Sequence, residues 1–195
     1  MLLNEAFYKR SSVTRIAQEL LGKGLFTKID GRITGGLIVE TEAYSWKERG
    51  CHAYNNRMTT RNEVMFKEGG RAYVYLCYGI HNLFNVVTNR EGKADAVLIR
   101  ALEPVEGIAE MARRTGTDKT KRITSGPGKL TRALGIDRNH NGVALTSKNL
   151  WLADLGNTIK PKEIESSPRI GIDYAGEDKW LPWRFTLAGN TWITC

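Results

Sequence analysis

Asp30-Gly31 constrains this chain most. It separates two strand-like runs, 25–29 and 32–40. An Asp-Gly pair in that setting specifies a two-residue hairpin, because both central residues must adopt positive φ. A turn set this tightly commits the N-terminal third to an antiparallel sheet. Gly35-Gly36, inside the second run, predicts a bulge or a close approach of neighbouring backbone.

Hydrophobic spacing predicts the remaining elements. Ser12 precedes Val13, Ile16, Ala17, Leu20 and Leu21, so a helix with Ser12 as its N-cap and Gly22 as its stop is expected. Residues 45–70 show no clean period and read as loop, with a short helix over 62–66. A loop of that length is often functional. Strands are predicted over 72–78, 82–88 and 95–101, an antiparallel meander. Helices follow over 105–114 and 127–134, the second with Ser125 as candidate cap, and short strands over 150–155, 169–172 and 184–187. No repeat or linker divides the 195 residues. The expected class is therefore α+β, with one domain spanning residues 1–195: a curved antiparallel β-sheet with surrounding helices.

The net charge is +8. Such a balance favours a polyanionic partner, nucleic acid first, although a mildly basic enzyme without one has the same composition. Residues 111–138 hold eight Lys/Arg (Arg113, Arg114, Lys119, Lys121, Arg122, Lys129, Arg132 and Arg138) against Asp118 and Asp137. That concentration suits phosphate contacts; a solvated helix face followed by a loop would look the same. Three cysteines, Cys51, Cys77 and Cys195, have no CxxC spacing. Neither a disulfide framework nor a metal site is expected, and a reducing cytoplasm is. The first residues show no secretory signal, and no segment has the apolar length to span a membrane. Nothing points beyond a monomer, and no cofactor is expected.

Carboxylates, a histidine and tyrosines gather within a short stretch of this basic chain: Glu40, Glu42, Tyr44, His52, Tyr73, Tyr75 and Tyr78. Acids that can handle a proton, aromatic faces that can stack a flat ring and surrounding positive charge suggest chemistry on a nucleobase. On a strand over 36–44, alternation puts Glu40, Glu42 and Tyr44 on one face. Tyr73 and Tyr75 likewise share a face. Tyr78 and Ile80 stand at a hairpin tip beside Gly79, where they suit insertion into a duplex, or fold back onto the body. Arg100 closes a run that reads as buried and needs a carboxylate partner, Glu42 or Glu40.

The ordered runs Val39-Glu40-Thr41-Glu42-Ala43-Tyr44, Tyr73-Val74-Tyr75-Leu76-Cys77-Tyr78-Gly79, Leu98-Ile99-Arg100-Ala101-Leu102-Glu103-Pro104 and Ser125-Gly126-Pro127-Gly128-Lys129-Leu130 resemble the 3-methyladenine (alkyladenine) DNA glycosylase family. Arg169-Ile170-Gly171-Ile172 and Ala175-Gly176-Glu177 extend the match over nearly the whole chain. The resemblance implies a monofunctional enzyme of base excision repair acting on double-stranded DNA with damaged purines, in the cytoplasm of a bacterial-type cell at its nucleoid. It would flip out 3-methyladenine, 7-methylguanine or hypoxanthine and hydrolyse the N-glycosidic bond. By motif position, Glu42 matches the base that activates water. Arg100 and the backbone carbonyl of Ile170 match that water's other contacts. Tyr44 and Tyr75 match walls that sandwich the base, with His52 closing the pocket. Asn85 matches a residue that acts against the guanine amino group, and Tyr78 the wedge, with Ile80 beside it. His81 departs from the aromatic residue of family relatives at the tip. A non-catalytic nucleic-acid-binding protein of similar fold, or an interaction domain, stays open, because fold does not fix function.

Overall fold

Asp30 (φ 51°) and Gly31 (φ 76°) both take left-handed backbone, and the hairpin they specify forms. Strand β1 (Gly24–Ile29) pairs antiparallel with β2 (Arg32–Tyr44), from Ile29 opposite Arg32 to Gly24 opposite Leu37. The computed structural model describes residues 1–117 and 122–194. Asp118, Lys119 and Lys121 of the basic stretch, and Cys195, lie outside the described residues.

The other strands are β3 (Ala72–Cys77), β4 (His81–Thr88), β5 (Asp95–Glu106), β6 (Leu150–Ala153), β7 (Ile164–Ser167) and β8 (Arg184–Leu187). All pair antiparallel in one open sheet, ordered β3-β4-β5-β2-β1-β6, with β8 joining β2 where β1 leaves off and β7 pairing β8. With four α-helices among the described residues, α1 (Glu5–Tyr8), α2 (Val13–Leu20), α3 (Ile108–Thr115) and α4 (Pro127–Leu134), the class is α+β as expected. β2 is the central element: along most of its length it is paired on both edges, and its residues 35–43 are almost all buried.

The helices cover one large core. Ser12 accepts a hydrogen bond from the Arg15 amide and caps α2, whose Ile16, Ala17 and Leu20 are buried. They pack with Leu25, Ile38, Val97 and Ile99 of the sheet and Leu130 and Leu134 of α4. A smaller cluster joins Cys51, Ala53, Val64, Met65 and Phe66 to Tyr73, Val87 and Ala96, with Tyr44 and Tyr75 packed against it. The 45–70 loop therefore has apolar ballast of its own, and a 3₁₀ turn, Glu63–Phe66, stands where the short helix was expected.

Three expectations are corrected. Val105 and Glu106 extend β5, and α3 begins only at Ile108, after left-handed Gly107 (φ 70°) breaks the strand. Ser125 does not cap α4. The N-cap is Gly126, with Pro127 in the first turn, and the buried Ser125 hydroxyl has no hydrogen-bond partner among the described residues. Residues 169–172 form no strand, because β7 ends at Ser167 and the chain turns through left-handed Gly171 (φ 76°).

Gly35-Gly36 sits at a register shift between β2 and β5. A Cβ at Gly36 would lie 2.3 Å from the carbonyl oxygen of Glu103, so only glycine lets the two strands close. Gly36→Ala is expected to lower stability by about 1–3 kcal/mol in urea unfolding; an unchanged midpoint would mean the strands can part without loss.

Candidate active site

Two carboxylates lie on the central strand of a buried sheet. Glu40 and Glu42 are both 0% exposed, which a charged group tolerates only with partners. Arg100, buried on the adjacent strand, supplies both: its Nε donates to Glu40 Oε1 at 2.8 Å and its Nη1 to Glu42 Oε2 at 3.2 Å. The β2–β5 register slips on both sides of Glu40, and Arg100 falls in the gap between the Glu40–Ala101 and Thr41–Ile99 pairs. Bulges of this type re-aim a side chain, and here the guanidinium reaches both acids. Glu40 is also held by Arg184 Nε at 2.7 Å and by the Thr194 amide and hydroxyl, each at 2.7 Å. Burial raises the Glu40 pKa, but Arg100, Thr194 and Arg184 outweigh it and hold the group below its ordinary value. Glu42 has different company. The Tyr44 hydroxyl donates to its Oε2 at 2.8 Å and the Ile170 amide to its Oε1 at 2.8 Å.

Those three partners of Glu42, namely Tyr44, Arg100 and Ile170, all line one cleft of about 410 Å³, a volume in the range of small-molecule sites. Glu42 lies one layer behind that wall. Its other walls include His52, Tyr73, Tyr75 and Asn85. His52 Nδ1 is 2.9 Å from the Tyr73 hydroxyl, and the rings of His52 and Tyr75 meet edge-on with centroids 4.6 Å apart. Asn85 Nδ2 donates to the Tyr73 carbonyl at 3.1 Å. Its amide oxygen has no hydrogen-bond partner among the described residues, so it can meet a ligand. Burial, then the charge of Arg61, pushes the His52 pKa down to about 4, so the ring is neutral at neutral pH. Burial, then the Glu42 charge, drives the Tyr44 pKa well above its ordinary value, keeping its hydroxyl a donor.

Beside the cleft stands the β3–β4 hairpin. Tyr78 (φ 49°) and Gly79 (φ 73°) make its left-handed tip. Tyr78 is 89% exposed and Ile80 73%, so the tip does not fold back onto the body. His81 opens β4, and a Cβ at Gly128 would come 2.9 Å from its ring. That close packing, with the Thr131 hydroxyl donating to the Asn82 carbonyl at 2.7 Å, braces the hairpin against α4.

The structure thus brings Glu42, Tyr44, His52, Tyr75, Asn85, Arg100 and Ile170 together and leaves Tyr78 and Ile80 at the rim. What touches Glu42 is the amide of Ile170; the expected role concerned its carbonyl. The basic stretch is less available than its composition suggests: Arg113 and Arg114 are engaged by Glu110 at 2.7 and 3.1 Å, and Arg132 Nε donates to the Arg114 carbonyl. Arg122, Lys129 and Arg138 have no ion-pair partner among the described residues. Sequence reasoning missed several residues. Arg61 lines the cleft with its guanidinium 5.0 Å from the Tyr75 ring centre. Asn62 holds the His52-bearing loop through the carbonyls of His52 and Arg57. Glu48, Arg169 and Tyr174 also stood outside the expected site. Only Tyr73 had a local signal, its shared face with Tyr75.

The methylpurine-DNA glycosylase (MPG) family model matches residues 6–191. The chain is 46% identical to a protein of Chlamydia felis over 191 residues, covering 95% of this chain and 96% of that one. It is 45% identical to one of Carboxydothermus hydrogenoformans over 194 residues (100% and 99%) and 43% identical to one of Bacillus licheniformis over 189 (96% and 94%). All three are provisionally named 3-methyladenine DNA glycosylase.

Because folding depresses the His52 pKa from 6.5 to about 4, the unfolded chain takes up a proton below pH 6.5 that the folded chain refuses. The His52 contribution is therefore intact above 6.5 and drains away as pH falls towards 4, at up to about 1.4 kcal/mol per pH unit. In urea unfolding across that window the stability of wild type should fall relative to that of His52→Asn with this slope, and the ring should titrate by NMR near 4. A midpoint near 6.5 would contradict the burial argument.

Proposed function

The chain belongs to the methylpurine-DNA glycosylase family, and from that premise we propose that it releases alkylated and deaminated purines (3-methyladenine, 7-methylguanine and hypoxanthine) from duplex DNA. The reaction hydrolyses the N-glycosidic bond and leaves an abasic site. The observation that carries this reading is the meeting of one buried carboxylate with one aromatic cleft: all three groups that hold Glu42 are cleft walls.

The bond to be broken lies inside the stacked duplex, so the nucleotide must leave the stack. The exposed Tyr78–Ile80 tip suits that task, entering the duplex and filling the vacated space. The extruded purine stacks between Tyr44 and Tyr75 with His52 closing over it, and the Asn85 amide weighs against a guanine amino group without barring the activated 7-methylguanine. Glu42 takes a proton from a water molecule as its oxygen bonds to the sugar carbon. The base departs with the electron pair of the broken bond. The same carboxylate faces the positive charge that grows on the sugar. Arg100 pairs with Glu42 and aims it, and the Ile170 backbone completes the water site. No lysine adduct is involved, so the DNA strand stays intact. The partner is double-stranded DNA, the protein acts as a monomer without cofactor, and its place in a bacterial-type cell is the cytoplasmic nucleoid.

Glu42→Gln is expected to cut single-turnover excision from a hypoxanthine or alkylpurine duplex by about 100-fold or more while lesion binding persists. Undiminished excision by that variant would refute the assignment. Tyr78→Ala should weaken binding to damaged duplex and slow excision, with the cleft intact; unaltered affinity would remove the tip from the interface. Binding should also fall steeply with added salt, and a flat response would argue against phosphate contacts.

A further inference from the structure

We propose that Arg169, clamped by Glu48, is the positioning residue that sets both Glu42 and the Tyr44 wall; the inference rests on the Glu42 reading above and extends it. Arg169 is 5% exposed and Glu48 3%. Their contact is bidentate: Arg169 Nη1 meets Glu48 Oε1 at 2.7 Å and Nη2 meets Oε2 at 2.7 Å.

The pair holds the site on three sides. Arg169 Nη1 also donates to the Ala43 carbonyl at 3.0 Å, the peptide link between Glu42 and Tyr44. Its guanidinium carbon lies 4.7 Å from the centre of the Tyr44 ring and 5.3 Å from that of Trp183, close enough for cation–π attraction. The next residue along the chain, Ile170, turns its amide onto Glu42 Oε1 at 2.8 Å. One buried cation thus fixes the backbone before the aromatic wall, the wall's ring, and the start of the loop that donates to the carboxylate. Glu48 in turn accepts from the Gly50 amide at 2.7 Å, so the clamp is anchored in the loop that carries His52. Arg169 Nη2 reaches the Asp178 carbonyl at 3.2 Å, tying in the turn after the cleft.

A bidentate fork with two further carbonyl contacts is a geometry that lysine cannot copy. A displacement of about an ångström at a reacting group costs far more in rate than in binding. The clamp therefore governs the chemical step more than affinity.

The test compares wild type, Arg169→Lys, Glu48→Gln and the double variant Glu48→Leu/Arg169→Met. Three quantities are read: single-turnover excision at saturating enzyme, dissociation constant for a duplex carrying a non-hydrolysable abasic analogue, and melting temperature. Arg169→Lys and Glu48→Gln should slow excision by about 10- to 100-fold, with affinity changed by no more than about threefold. The double variant replaces a buried ion pair with apolar side chains, which often restores or raises stability. Its excision should stay slow even where its melting temperature equals that of wild type. Wild-type excision rates in Arg169→Lys, or recovery of rate together with stability in the double variant, would overturn the proposal and reduce the pair to a structural one. Failure of the underlying reading is seen separately: Glu42→Gln, run in parallel, would then excise normally.

Discussion

Everything at this site depends on the neutrality of a buried charge cluster. Glu40 and Glu42 lie two residues apart on one face of the central strand, fully covered, and Arg100 and Arg184 lie against them. Two acids and two guanidiniums sum to zero. Removing either partner of such a pair leaves an uncompensated charge away from water, at a cost of about 3–5 kcal/mol. The sheet topology is what allows the balance. β8 joins β2 at residues 40–42, where β1 has already left, and brings Arg184 opposite Glu42. The bulge in β5 brings Arg100 from the other side. Glu40, saturated by Arg100, Arg184 and Thr194, serves as the structural acid. Glu42 shares only Arg100 and keeps company with cleft residues.

How far the sequence foretold this depends on how local each signal was. Asp30-Gly31, the Ser12 cap and Gly35-Gly36 are decided by backbone sterics within a few residues, and all three stand as expected. Alternation likewise put Glu40, Glu42 and Tyr44 on one face, and the need to pair a buried arginine named Glu42 or Glu40 as the partner of Arg100, which in fact reaches both. Local rules failed where two were in competition. Ser125 had the right chemistry for a cap, yet Gly126 and Pro127 occupy the cap and first turn. Val105 and Glu106 continue a strand because β2 offers them a partner at Gly35. Residues 169–172 look strand-like in composition, but left-handed Gly171 and the pull of Glu48 on Arg169 turn them into a loop.

Among the site residues that escaped reading, Arg169 and Glu48 each have their partner far away in the chain: they are 121 positions apart. No periodicity marks such pairs, and a basic residue beside a proline gives no sign of burial. The same blindness inflated the basic stretch. Arg113 and Arg114 counted as free cations in sequence, but Glu110, one helical turn back, binds both.

The cleft itself divides labour with the surface. The overall charge of +8 can gather a polyanion at long range, yet the cleft interior offers an incoming base almost no proton. His52 is neutral, with its pKa near 4, and burial raises the pKa values of Tyr44, Tyr73 and Tyr75 above the ordinary phenol value. A neutral purine is a poor leaving group unless it is protonated, and none of these four groups is an effective acid at neutral pH. A purine alkylated at N3 or N7 is already cationic and departs as a neutral base. In the proposed reaction an alkylated lesion brings its own activation, and the protein adds an aromatic slot and a held carboxylate that aims one water; neutral hypoxanthine lacks that activation and depends on the slot and the carboxylate. Undamaged purines lack that activation. Selection for damage therefore arises in the chemical step as well as in binding, and the accuracy with which Glu42 is held matters more than the tightness of the stack.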